Sequence, residues 1–94
     1  MGNKFYTLMK KRGFSETLTV LNSFDNKEAV QARFFEKFEA SDSYYNAYLR
    51  VKKSLLDTGL IKFKLNDANE KVIYLTEKGL KVLKKINEIE KLID

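Results

Sequence analysis

The sequence predicts an α+β fold of mainly helical character, and three observations carry that reading. Apolar residues recur every three or four positions through most of the chain, the spacing of amphipathic helices. One stretch breaks this rhythm. In IKFKLNDANEKVIYLT, Ile61, Phe63 and Leu65 alternate with Lys62 and Lys64, NDANE supplies turn residues, and KVIYL returns rich in β-branched and aromatic side chains. A hairpin is expected there, at about 61–75. Isolated glycines and good capping residues punctuate the rest, and no proline, repeat or Gly/Ser-rich linker divides the 94 residues. One domain, 1–94, is expected, small enough that a second copy is a reasonable addition to its core.

Each element has its own local reason. Residues 3–12, NKFYTLMKKR, carry Phe5, Leu8 and Met9 at helical spacing, and Gly13 stops that helix. Ser15 is the expected N-cap of SETLTVLNSF, with Leu18, Leu21 and Phe24 facing inward. Asp25 and Glu28 stand at the spacing of a capping box, so a second helix is expected after Asp25. In it Val30, Phe34 and Phe38 recur every four residues beside Phe35, a core pattern. Ser41, Asp42 and Ser43 compete to cap a third helix at about 43–58. Tyr44, Tyr48, Val51 and Leu55 form its apolar stripe, flanked by Tyr45 and Leu56. Ser43, Asn46, Ala47, Arg50 and Lys53 fall on the opposite side, with no acid before Asp57. Gly59 supplies the left-handed stop.

Thr76 is the expected N-cap of the last helix, at about 77–93, with Glu77 in its first turn where the helix dipole favours an acid. Val82, Ile86, Ile89 and Ile93 form a heptad-like seam along it. Leu80 and Leu83 lie to one side, and Leu92 belongs to either surface. Such a helix either folds back on its own core or pairs with a second copy. The homodimer is the expectation, with Val82, Ile86, Ile89 and Ile93 at its interface. The seam is short, so the N-terminal segment or the first helix must contribute.

Composition narrows the chemistry. A hydrophobic share of 44% with 33% charged residues describes a globular chain rather than a disordered or membrane one. The N-terminus MGNKFY lacks a signal-peptide core, and there is no cysteine, so a cytoplasmic location is expected. Without His or Cys, the commonest general base, thiol nucleophile and transition-metal ligands are missing, and no glycine-rich phosphate loop occurs. Neither an enzyme nor a cofactor is expected, and no small-molecule or metal-sensing site is evident. A formal charge of +5, from 18 basic and 13 acidic residues, suits a polyanionic partner.

Helices, then a hairpin, then a helix is the order of a winged helix. SLLDTGLI, a strand, a short tip, a strand ending YLTEKG and a helix together resemble the winged helix-turn-helix DNA-binding regulators, nearest to the small MarR-, ArsR- and PadR-like repressors of archaea and their viruses. The resemblance spans roughly residues 15–90. It rests on Leu55, Gly59, Leu60 and Ile61 at the end of the recognition helix, and on Leu75, Thr76 and Gly79 after the second wing strand. It implies a homodimeric, sequence-specific regulator of transcription that binds double-stranded DNA. The major groove, about 12 Å wide, admits one α-helix, and the third helix has the apolar back and polar front that this role needs. Asn46 suits adenine and Arg50 guanine or phosphate, while Ser43 and Lys53 suit phosphates. Ala47 shares that side, and Tyr45 stands between the DNA face and the core. On the wing, Lys62, Lys64 and Lys71, with Asn66 and Asn69 near the turn, suit backbone or minor-groove acceptors. The alternatives are a winged helix used as a protein-interaction module and a non-specific architectural DNA binder.

Overall fold

The computed structural model describes residues 13–40 and 45–93. The helix expected at 3–12 and the capping residues 41–43 lie outside them. So do Tyr44, all of Ser43 and the side chain of Tyr45. The chain is α+β and mostly helical. Among the described residues it contains α1 (Phe14–Asn22), β1 (Glu28–Val30), α2 (Gln31–Ala40), α3 (Tyr45–Asp57), β2 (Ile61–Leu65), β3 (Lys71–Leu75) and α4 (Glu77–Ile93). The strands form one antiparallel sheet in the order β1-β3-β2. α1 sits centrally, in contact with the other three helices and with β3. No described helix is long and apolar enough to cross a membrane.

The helix expected after Ser15 starts two residues earlier than its sequence suggests. Gly13, at φ 100, precedes Phe14, and Ser15 turns its hydroxyl to the Glu16 carboxylate instead of capping. The start is anchored by Thr17, whose backbone N–H and hydroxyl both donate to the Gly13 carbonyl, at 3.0 and 2.6 Å. A Cβ on Gly13 would lie 2.6 Å from the Ala47 carbonyl oxygen, so this glycine lets α1 begin directly against α3.

After α1 the structure departs from expectation. Asp25 and Glu28 do not form a capping box. Asn26 and Lys27 adopt left-handed backbone, φ 57 and 56, and turn the chain into β1. Its three residues pair with β3, Glu28 opposite Tyr74 and Val30 opposite Val72. Ala29 and Val30 read equally well in a helix or a strand by pattern alone. The unpaired edge of β3 decides the matter, because its backbone groups need partners.

α2 and α3 join through aromatic rings. Phe34 and Phe38 are fully buried, as is Tyr48 of α3. The Phe34 and Tyr48 centroids are 5.1 Å apart, with Phe35 and Phe38 at 5.5 and 6.2 Å from Tyr48. Such pairs contribute about 0.5–1.5 kcal/mol each beyond the area they bury. Val51 and Leu55 continue the buried stripe one and two turns on.

The motif residues at Gly59–Ile61 and Leu75–Gly79 meet in space. The Thr76 N–H donates to the Leu60 carbonyl at 3.1 Å, and its hydroxyl donates to the Gly59 carbonyl at 2.6 Å. That same hydroxyl accepts from the Gly79 N–H at 3.0 Å, which caps α4 as expected. Gly79 permits the approach, since a Cβ there would overlap the Leu60 carbonyl oxygen and stand 2.7 Å from Leu75 Cδ1. Lys78 adds a bond to the Thr58 carbonyl at 2.7 Å. The end of α3 is thus bolted to the start of α4.

Only part of the expected seam on α4 is free. Ile86 is 2% exposed and belongs to the chain's own core with Leu83, and Val82 packs partly against it. Ile89, Leu92 and Ile93, at 49%, 86% and 79% exposed, remain as an apolar stripe on the last turns. The first half of the helix folds back because α1 lies beneath it, an arrangement that helical spacing does not reveal.

Candidate nucleic-acid interface

The back of α3 is held by Tyr48, Val51 and Leu55, so the residues half a turn away point outward. Asn46, Arg50 and Lys53 are exposed and share that outer face, three and four residues apart. Ala47, expected beside them, is only 4% exposed and packs against Gly13, so it can offer no surface to a ligand. A residue one position after Asn46 lies about 100° round the helix, towards the α1 side.

The charges on this face are almost all positive. Arg50 has no acidic partner among the described residues. Lys53 pairs with Asp57 at 3.3 Å, both side chains being largely exposed. This pair is weak: a base followed four residues later by an acid is the less favourable order, and Asp57 stands at the helix end that repels anions. An arriving phosphate therefore competes for Lys53 on good terms. Leu49, 44% exposed, lies between this face and the hairpin side of the helix.

The hairpin divides its lysines between two faces. Ile61, Phe63 and Leu65 stand opposite Leu75, Ile73 and Lys71, and cross-strand partners share a side of the sheet. Lys71 is therefore on the side of Phe63, the side that packs on the body. Lys62 and Lys64, opposite Tyr74 and Val72, occupy the other side. Lys64 is engaged there by Glu28 at 2.8 Å, with its ammonium 5.4 Å from the Tyr74 ring centroid. The five wing residues expected to act together thus do not form one surface.

Asn66 serves the turn itself. Its side-chain oxygen accepts from the N–H groups of Ala68 and Glu70, at 3.0 and 2.9 Å, and its amide donates to the Glu70 carboxylate at 3.1 Å. With these bonds made, its amide closes the tip, whereas Asn69, in left-handed backbone at φ 62, keeps its side chain exposed. Asparagine tolerates that conformation better than most residues.

Sequence reasoning missed one basic residue. Lys52 lies on the flank of α3 that faces the hairpin, its ammonium 5.3 Å from the Phe63 ring centroid, and Lys71 approaches the same ring at 4.2 Å. A helical projection does place Lys52 at the edge of the buried stripe. What singles it out, the ring from β2, is a tertiary contact. No protein-family model matches the chain, and neither a curated protein nor a solved structure matches it.

Proposed function

We propose that the chain is a winged helix-turn-helix regulator of transcription that binds specific double-stranded DNA as a homodimer, with α3 in the major groove. The observation that carries the reading is the outer face of α3. It is exposed, polar and cationic at Asn46, Arg50 and Lys53, and it is mounted on a buried aromatic back. Further support comes from the element order, in which a short strand between α1 and α2 joins the hairpin, as a winged helix requires. Asn46 reads adenine and Arg50 reads guanine or a phosphate from this face. Two copies joined through Ile89, Leu92 and Ile93 would set two such helices against half-sites about 34 Å apart.

Selection of bound duplexes from a random pool, followed by salt titration of the best sequence, tests the reading. A dimer that neutralises about eight phosphates gives a log K against log salt slope near −7. The selected duplex should bind about 10³-fold or more tighter than an unrelated one. Arg50→Glu should abolish retention. A zero slope, or indifference to Arg50→Glu, removes DNA from the account. Leu49 then becomes the natural centre of a protein-docking face.

A further inference from the structure

We propose that Lys52 and Lys71 grip the DNA backbone together, so that the hairpin meets the duplex with its α3-side face and leaves Lys62 and Lys64 clear of it. This rests on the DNA-binding reading above and deepens it. Three observations carry it. Lys52 comes from α3 and Lys71 from β3, yet both ammoniums lie within 5.3 Å of one ring, that of Phe63. Neither has an acidic partner among the described residues, whereas Lys64 is held by Glu28 at 2.8 Å. The strand register places Lys62 and Lys64 on the opposite side of the sheet from Lys71.

The chemistry follows from what each contact uses. A cation–π contact engages an ammonium through electrostatic attraction to the ring face and leaves it N–H donors for a phosphate oxygen. The ring also limits where the two flexible side chains can point, so less rotamer freedom is lost when an anion arrives. Two like charges held near one another without a counter-ion repel, and a phosphodiester relieves that repulsion. Lys52 also stands one residue before Lys53 of the outer face, about 100° round the helix towards the hairpin.

The test uses the full chain and four single variants, Lys52→Gln, Lys71→Gln, Lys62→Gln and Lys64→Gln, which remove charge but keep most of the aliphatic stem. Thermal melts establish that each folds. Salt titrations are then run on a selected duplex and an unrelated one. Lys52→Gln and Lys71→Gln each remove one cation from both copies of the dimer and should each make the slope shallower by about 1.8, so that affinity falls about twelvefold less than wild type between 50 and 200 mM salt. The loss at low salt should be equal on both duplexes, because a phosphate contact carries no sequence information. Lys62→Gln and Lys64→Gln should leave the slope unchanged. If the protein binds duplex DNA but its slope responds to Lys62 or Lys64, or ignores Lys52 and Lys71, this inference fails and the DNA reading stands. If the wild-type protein binds no duplex, both fall.

Discussion

At the scale of single residues, backbone freedom is used at a few sites with different physical reasons, and substitution separates them. Gly79 needs space: its Cβ would overlap the Leu60 carbonyl. Gly59 needs only its left-handed backbone, φ 76, with nothing within 4 Å of the place a methyl group would occupy. Gly79→Ala should therefore destabilise the fold by about 3 kcal/mol, the upper end of overpacking costs, because backbone rather than a flexible side chain must move. Gly59→Ala should cost about 1 kcal/mol, the strain of a left-handed L-residue. Urea unfolding of the two variants measures the difference. Lys27 is the reverse case, a long β-carbon-bearing residue at φ 56. Lys27→Gly relieves that strain but loosens the unfolded chain, and a net gain of about 0.5 kcal/mol is expected in the same assay.

At the scale of elements, the orientation of α3 is set by what lies at its two ends and behind it. Gly13 and Ala47 touch near its start, the Phe34–Phe38–Tyr48 cluster fills its back, and Thr76 locks its end to α4. A helix held in this way presents Asn46, Arg50 and Lys53 as a fixed set. Thr76→Ala removes an N-cap together with the hydroxyl bond to the Gly59 carbonyl, and should lower stability by about 1–2 kcal/mol. A melt should show this as a drop of about 4–16 °C for a domain of this size. The hairpin should survive, since its tip is closed by Asn66 independently of Thr76.

At the scale of the molecule, one apolar stripe lacks a partner among the described residues. Ile89, Leu92 and Ile93 lie on the last turns of α4, beyond the point where Leu83 and Ile86 dock on α1. Under the proposed dimer they are buried between copies, and the stability of the assembly depends on protein concentration. Leu92→Glu with Ile93→Glu should yield a folded monomer in sedimentation equilibrium, with its own core intact because neither residue contributes to it. DNA affinity should fall steeply, since each monomer then engages one half-site without the linkage of the second. An unchanged oligomeric state in that variant would place the dimer contact elsewhere.

Much of this was legible from local pattern. The alternation at Ile61–Leu65, the cap at Thr76 and the stripe Tyr48–Val51–Leu55 are local signals, and each appears as expected. The outward face of α3 follows from the same arithmetic, because a helix with one greasy side has to turn its other side to water. What the sequence could not carry is any choice made by a distant partner. Three residues at Glu28–Val30 became a strand because β3 had an open edge, and Ala47 was buried because Gly13 came close. Ile86 was drawn inward because α1 lies beneath it, and Lys52 and Lys71 were brought together because both reach one ring of β2. Local sequence determined which elements form and which sides are apolar, since both depend on neighbours a few residues away. Only tertiary structure decided which of those sides meet, because that depends on contacts between residues far apart in the chain.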